Sequence, residues 1–567
     1  MARTISIGQQ NFSELIVKNN FYVDKTMFIK EWWENGDDVT LITRPRRFGK
    51  TLTINMVETF FSVNYVGRED IFKDLSIWQD EKYQKLQGTW PVIALSFADI
   101  KEVTYEMAQY KINQLLANLY SRFQFVKDSP VLTTKDRNYW ERVSVNMNVS
   151  DASLVLHNLS EYLYCYYGKK VIILLDEYDT PMQEAYVYGY WEELAEFIRS
   201  FFNSTFKTNP CLERAIMTGI IGIRKESVFS DLNNLEVVTT TSKKYATSFG
   251  FTQQEVSKAL EEYGLLEEEA EVKYWYDGFC FGNQREIYNP WFIINYLDKQ
   301  EIDLYWANTN SDRLVNHLLQ KSDADIKMIM EDLLTGNTYH TTLNEQIVFQ
   351  QLNDKKSAFW SLLLASGYLR VEHFEFNKNH GKIEYDLILP NQEVRIMFEQ
   401  MIEEWFSEYT KEYNDFVNAL LKGDCKAMNH YMNRVTLETF SFFDSGKRPS
   451  ESTEPERFYH GFVLGLLVEL RDHYVVISNR ESGFGRYDVM LEPVHQEDDA
   501  IILEFKVYDP DEEQTLSDTV ASALAQIREK AYAASLEAKG ISSERIRSYG
   551  FAFEGKKVLI GENKIER

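Results

Sequence analysis

Residues 41–51, LITRPRRFGKT, carry an apolar segment straight into a basic turn that closes on Gly49-Lys50-Thr51. No other stretch constrains the fold as strongly. It sets a strand (DVTLIT, 38–43), a tight turn and a departing helix (LTINMVETFF, 52–61) in that order. A turn whose backbone N–H groups point inward cradles phosphate oxygens, a lysine reaches the β- and γ-phosphates, and a hydroxyl ligates Mg²⁺. Lys50 and Thr51 supply the last two groups, and Gly49 lets the backbone approach. Arg44 stands where the spacing G-x-x-x-x-G-K-[ST] places its first glycine, so the turn alone fits a plain basic turn ahead of a helix equally well.

A second run tips that balance. VIILLDEYD (171–179) is apolar until it ends in Asp176-Glu177, the pattern of a strand buried on both faces. In a P-loop NTPase an acid at that strand end holds Mg²⁺ and a neighbouring acid polarises the attacking water. Asp176 suits the first role and Glu177 the second. A buried strand that merely surfaces in acids gives the same string, but two partial motifs in the right order rarely coincide. AIMTGIIGI (215–223) adds a third apolar run, broken by Thr218. From a neighbouring strand Thr218 would sense a γ-phosphate, although a satisfied core hydroxyl is the plainer reading of a lone threonine.

At 567 residues the chain exceeds a single core, and two to four domains are expected. With 44% hydrophobic and 14% aromatic residues, burial is ample and disorder is not expected to dominate. No apolar run approaches the roughly 18 residues that span a bilayer, and MARTISIGQQNF has no apolar signal core. Cys165, Cys211, Cys280 and Cys425 are scattered without C-x-x-C spacing, as reduced thiols in a cytoplasmic protein would be. The nine histidines show no short-spaced metal pattern, which argues against structural zinc. The net charge of −26 opposes a generally basic nucleic-acid surface. Any polynucleotide contact must be local, metal-bridged or partner-dependent, and anionic membranes are disfavoured.

Strands and helices alternate through residues 1–240, which implies a parallel sheet covered on both faces with ligand at the carboxyl ends of its strands. Within it, 21–36 reads as a helix ended by Gly36, 90–97 as a buried strand, and 105–125, 151–166 and 190–205 as helices. Residues 241–300 read as a mainly helical lid with a glycine–aromatic break at WYDGFCFG (275–282). In 301–450 a helix, a turn at Gly367 and a hairpin (360–391) form a winged-helix-like pattern, with helices at 393–440. That pattern fits nucleic-acid contact or a packing domain, and the acidic charge favours packing. SGKRPSESTEPE (445–456) is the best linker, and 451–567 forms the last domain. The fold class is thus α/β multidomain.

After the linker come an apolar helix (457–470), strands in YVVISNRE, RYDVMLEP and AIILEFKVYD, a long helix (515–538) and a strand pair near 548–560. The strand period of two puts Glu504 and Lys506 on one face of IILEFKV and Phe505 and Val507 on the other. One face is expected to pack and the other to present an acid beside a base. Asp488 likewise opposes its apolar neighbours Tyr487 and Val489. Two carboxylates on adjacent strands share a hard divalent cation, and a nearby lysine activates water or neutralises phosphate charge. From spacing alone ordinary cross-strand charge is the plainer reading of E-x-K, and the strand–strand–helix context strengthens the catalytic one. Glu456 is a further candidate ligand, and Gln526 a candidate substrate contact.

The set FYVDKT (21–26), RPRRFGKT (44–51), LLDEYD (174–179), TGIIGIRKESVFSDLNNL (218–235), WYDGF (275–279), YNPW (288–291), SGYL (366–369) and SNRESGFGRYDV (478–489) with EFK (504–506) resembles a bacterial family. In it an AAA-ATPase-like domain is fused to a C-terminal PD-(D/E)XK nuclease-superfamily domain. The resemblance covers essentially the whole chain. It implies a P-loop parallel-sheet ATPase-like domain and a restriction-endonuclease-like α/β domain. By position, Lys50 and Thr51 resemble the Walker A pair, Asp176 and Glu177 Walker B, and Asp488, Glu504 and Lys506 the nuclease triad. Three departures stand out: Arg44 replaces a glycine and puts tight phosphate wrapping in doubt, Tyr487 replaces the signature proline, and Lys530 occupies the place of a tyrosine four residues after Gln526.

These readings lead to an ATP-binding, ATP-regulated, Mg²⁺-dependent nuclease acting on DNA, in defence or mobile-element biology. Gly49, Lys50, Thr51, Asp176 and Thr218 would hold the nucleotide, with Thr51 and Asp176 on its metal. Glu177, Asp488, Glu504 and Lys506 would carry catalysis, with Asp488 and Glu504 on a second metal. Arg46, Arg47 or Arg224 would touch phosphate unless solvated or paired with a carboxylate. Expected partners are nucleic acid, DNA in preference to RNA, and a protein or a further copy of the chain, with no membrane. The alternative is a nucleotide-gated binding or signalling module whose nuclease fold is inactive, a reading suited to the acids at 497–499 and 509–513.

Overall fold

The computed structural model describes residues 2–222, 229, 232–306, 314–315, 318, 324–334, 336–343, 352, 356–378, 380–407, 410–439, 463, 467, 470, 473–478, 481–482, 485–486, 488–495, 498–510, 513–554 and 557–563. They form two compact units, Met1–Leu318 with Gly336–Met397 and Leu319–Thr335 with Phe398–Arg567. Among the described residues no helix is long and apolar enough to cross a membrane.

The first unit is built on five parallel strands, β1 (Val39–Thr43), β2 (Val92–Ser96), β3 (Val171–Asp176), β4 (Leu212–Gly219) and β5 (Leu235–Val238), in the order β2-β3-β4-β1-β5. Every residue of β1 and β3 is buried, which is why both read as unbroken apolar runs. Helices α1 (Met27–Asn35), α2 (Lys50–Phe61), α3 (Tyr105–Arg122), α4 (Val155–Tyr167) and α5 (Trp191–Phe202) accompany the sheet. Trp32, Phe60, Phe61, Ile172, Leu174 and Ile216 share one core cluster. Because β4 lies between β1 and β3, the turn after β1 and the acids after β3 flank one crevice at the strands' carboxyl ends.

Two expectations need adjusting. The helix read from 21 starts at Met27, because the Asp24 carboxylate accepts the N–H (2.9 Å) and hydroxyl (2.6 Å) of Thr26 and holds a turn there. Gly36 ends it in the left-handed region (φ +77°) as expected. Residues 241–300 contain the helices α6 (Gln253–Tyr263), α7 (Glu269–Tyr276) and α8 (Pro290–Lys299), but they also form an antiparallel sheet. Its strands β6 (Phe251–Thr252), β7 (Phe279–Phe281) and β8 (Gln284–Tyr288) run in the order β6-β8-β7. The glycines of the WYDGFCFG string build this sheet: at Gly278 (φ +119°) a Cβ would lie 1.9 Å from the Pro390 carbonyl oxygen.

Further along, β9 (Tyr339–Thr342), α9 (Lys356–Ser366), β10 (Arg370–Asn377) and β11 (Lys382–Ile388) follow. The helix, the left-handed turn at Gly367 and the hairpin are as read, and β9 joins the hairpin to give the order β10-β11-β9.

Helices α10 (Gln392–Ser407), α11 (Thr410–Lys422) and α12 (Cys425–Thr439) lead into the second unit's sheet. Its strands are β12 (Tyr474–Ser478), β13 (Val489–Pro493), β14 (Ala500–Val507), β15 (Ile546–Glu554) and β16 (Lys557–Glu562), in sequential order. Only β14 and β15 pair in parallel, and α13 (Leu516–Glu529) makes that crossover. Leu503 and Phe505 pack with Phe551, Phe416, Leu420 and Met432 on one face, whereas Met490 and Ile502 pack with Val520, Leu524 and Ile527 of α13 on the other. The linker at 445–456 lies outside the described residues, and so does the helix read at 457–470 except for Val463, Leu467 and Leu470, all buried.

Candidate functional site

Gly49 caps α2 at φ +80°, a conformation only glycine adopts without strain, and a cavity of about 820 Å³ opens beside it. Arg46, Arg47, Lys50, Thr51 and Glu177 line it, and Phe21, Tyr22, Val23, Met56 and Trp291 supply apolar wall. This size and mixture suit a small-molecule ligand. The Lys50 Nζ donates to the carbonyls of Arg44 (2.9 Å) and Pro45 (2.8 Å). Burial pulls its pKa down, while Glu177, Asp176 and Asp179 oppose that loss.

Asp176 is the junction of the site. Its Oδ2 accepts the Thr51 hydroxyl (2.7 Å) from α2, and its Oδ1 accepts the Thr218 hydroxyl from β4. Burial raises its pKa, and the two hydroxyl hydrogen bonds oppose the rise. Thr218, weak in the sequence, is therefore brought to the same carboxylate as Thr51. Glu177 sits at φ +50° and accepts the Thr180 hydroxyl at 3.2 Å.

Sequence reasoning passed over Asp179, which closes the D-E-x-D string. It is buried, and its Oδ2 accepts the N–H groups of Ile220 and Ile221 (both 2.9 Å) and the Gln183 amide (3.0 Å). It thereby ties the start of the segment after β4 to the end of β3. Gly219 makes room for it, since a Cβ there would lie 2.5 Å from Asp179 Oδ1. Arg224 lies outside the described residues.

Arg44 does not loosen the turn. Its guanidinium is buried away from the cavity and donates to the carbonyls of Thr43 (2.8 Å) and Thr239 (2.7 Å). It packs over Phe281 (4.7 Å) and Phe249 (5.6 Å), and burial lowers its pKa to about 9. The rest of the turn is fastened in the same manner. A Cβ on Gly367 would lie 2.8 Å from Pro45 Cβ, the Arg46 carbonyl accepts the Asn289 amide (3.4 Å), and the Arg47 guanidinium lies 3.8 Å over the Trp291 ring. Phe48 meets Phe279 (5.0 Å) and Phe281 (5.2 Å) edge-on.

The second unit places Asp488 immediately before β13, where its Oδ2 accepts the Phe505 N–H at 2.8 Å. The carboxylate is thus pinned to the backbone between Glu504 and Lys506. Burial pushes the Asp488 pKa up to about 6 against the Phe505 N–H and the Lys506 charge. The expectation of a solvent-facing Glu504 is corrected: it is 2% exposed, because its face of β14 packs under α13. Lys506, at the end of that strand, is half-buried.

From α13 the Gln526 amide donates to Glu504 Oε1 and to the Tyr532 hydroxyl (3.2 Å). Lys530 stands four residues after Gln526 in place of a tyrosine, but the chain turns at Ala531 (φ +52°) and brings Tyr532 back, buried, onto Gln526. Its signal, a tyrosine six residues after the glutamine, is readable only once the helix end is known. Glu456 and Tyr487 lie outside the described residues.

Among the described residues no group of three or more His, Cys, Asp or Glu gathers to hold a metal ion. Paired carboxylates nevertheless fit Mg²⁺, which binds through one or two acids and keeps water and substrate phosphate as its other ligands. Asp488 and Glu504 meet that description, each with an oxygen oriented by an N–H donor. Thr51 and Asp176 meet it beside the turn.

Residues 6–229 match the family described as a predicted AAA-ATPase, and residues 454–563 match the PD-(D/E)XK nuclease superfamily. A curated relative from Azotobacter chroococcum mcd 1, described as an uncharacterized protein in the vnfD 5' region, is 24% identical over 564 residues. The alignment covers 95% of this chain and 94% of the relative.

Proposed function

We propose that this chain, which joins an AAA-ATPase-like domain to a PD-(D/E)XK nuclease-superfamily domain, is an ATP-regulated, Mg²⁺-dependent nuclease that hydrolyses the phosphodiester bonds of DNA. The observation that carries the reading is the hydrogen bond from the Phe505 N–H to Asp488, which sets one acid against the backbone between Glu504 and Lys506. Asp488 and Glu504 hold the divalent ion of the cutting site. That ion, when bound, lowers the pKa of attacking water and offsets charge developing on phosphate. Gln526, fixed by Tyr532, orients Glu504, and Lys506 assists water attack from the strand end.

In the first unit Gly49 and Lys50 receive the nucleotide phosphates, and Thr51 and Asp176 hold its metal. Glu177 orients water, and Thr218 reports the γ-phosphate to β4. The substitutions Glu504→Gln and Lys506→Ala test the cutting site on plasmid and oligonucleotide DNA, with and without ATP and Mg²⁺. Each is expected to lower the cleavage rate by about 100-fold or more, as loss of a transition-state charge contact does. Undiminished metal-dependent cutting by either variant defeats the assignment.

One observation favours a second reading, a nucleotide-gated binding module with a silent nuclease fold: Glu504 is 2% exposed and its Oε1 is capped by Gln526. Titration with Mn²⁺ separates the two, because a cutting site binds the ion and loses it on Glu504→Gln.

A further inference from the structure

The hairpin of β10 and β11 carries a surface that neither candidate site uses. Its register sets Phe374 against Tyr385 and Phe376 against Ile383, while His373 and Glu375 lie on the opposite face against Asp386 and Glu384. The phenylalanine face begins as core at Leu387 and Tyr385, both buried. Toward the tip it emerges, with Phe374 52%, Phe376 56% and Ile383 40% exposed. Exposed large apolar side chains gathered on one face mark an interaction site.

The turn beyond them carries cationic side chains. Lys378, His380 and Lys382 are exposed, and the Gly381 N–H closes onto the Asn377 carbonyl at 2.8 Å. Of the hairpin's acids, Asp386 (2.7 Å) and Glu384 (3.5 Å) contact His340 on the other face, Glu372 pairs with Arg370 (2.8 Å), and Glu375 is exposed on the face opposite the phenylalanines.

We propose that this face docks single-stranded nucleic acid, with bases stacked on Phe374 and Phe376 and phosphates met by Lys378, His380 and Lys382. The proposal rests on the nuclease reading and gives it a substrate form. Aromatic side chains take bases only where those bases are unpaired and splayed, so adjacent exposed rings select single strands over duplex. Residues two apart on a strand stand about 7 Å apart, close to twice the roughly 3.4 Å rise per nucleotide. One base therefore fits between the rings. In a chain of net charge −26, a lysine-bearing turn beside two aromatic rings gives a polyanion local charge complementarity.

Fluorescence anisotropy on the full chain in EDTA reads binding without cleavage, with labelled oligothymidylate and a duplex of equal length as probes. Joint Phe374→Ala and Phe376→Ala substitution should weaken single-strand binding about ten-fold or more and leave duplex binding within about two-fold. Joint Lys378→Ala and Lys382→Ala substitution should weaken it and flatten the slope of log affinity against log salt by about 1.4.

Unchanged single-strand affinity in both double variants overturns the proposal, and so do equal losses on single strand and duplex. Loss of self-association with intact oligonucleotide binding would assign the face to a second copy instead. The nuclease reading fails separately: a chain that needs Phe374 and Phe376 to bind but never cuts in Mg²⁺ keeps the strip and loses the cutting site.

Discussion

The two candidate sites each gather acids at buried strands but surround them differently. Around Lys50, Glu177 and Asp179 border a cavity of about 820 Å³, while Asp176 is buried behind them and engaged by two hydroxyls. In the second unit Glu504 lies under a helix, and half-buried Asp488 has its pKa pushed up to about 6 by burial. The first arrangement is a receptacle whose charges already face a ligand-sized space. The second stores charge at a covered strand end and relies on Gln526 and Tyr532 to aim it. Both sites thus keep a carboxylate at 2% exposure, Asp176 in one and Glu504 in the other, and what differs is the ligand-sized space beside the first.

The contrast can be broken most forcefully at Glu393, a covered acid in the unit that holds the open site. It is buried, accepts the Trp306 N–H, and burial pushes its pKa up to about 8 from 4.5. Between those values the folded chain binds more protons than the unfolded one, so stability falls as pH rises, by about 1.4 kcal/mol per pH unit. The loss begins as pH passes the ordinary carboxyl value and levels off above the raised one. Denaturant midpoints from about pH 5 to 8 should follow that slope, and Glu393→Gln should flatten it. A slope that survives the substitution assigns the effect elsewhere.

A smaller effect is expected at the receptacle. Lys50→Ala should weaken binding of a fluorescent ATP analogue by about 100-fold, as loss of a buried charge-assisted contact does, while Mn²⁺ binding at the second site stays unchanged. Parallel losses at both would dissolve the distinction between them.

The finest test lies at the covered acids. In a DNA-cleavage assay Gln526→Ala should lower the rate about ten-fold and Tyr532→Phe only a few-fold, because each acts through its neighbour. A Tyr532→Phe defect equal to that of Gln526→Ala would make the tyrosine more than a support.

What could be read beforehand was local. β1 and β3 announced themselves because strands buried on both faces leave unbroken apolar runs, whereas β14 was legible as a strand by its alternation but not in the burial of Glu504. The parts that escaped depend on distant backbone. The orientation of Arg44 is decided by the Thr239 carbonyl, 195 residues away, and by the ring of Phe281. Tyr532 matters only because Ala531 adopts a positive φ. Asp179 was in plain view, but its value comes from the two N–H groups it receives at Ile220 and Ile221. The sheet of β6, β7 and β8 was hidden because Gly278 and Gly282 read as breaks, whereas they are corners.

Arg44, Pro45, Arg46, Arg47 and Phe48 each lean on residues far along the chain, from Thr239 to Gly367. A glycine-rich turn yields to its guest, whereas this one is stiffened like a buttoned collar. Lys50 is fastened to the same collar through the Arg44 and Pro45 carbonyls, so any displacement of its ammonium would load the contacts that Phe48 makes with β7 and Pro45 makes with Gly367.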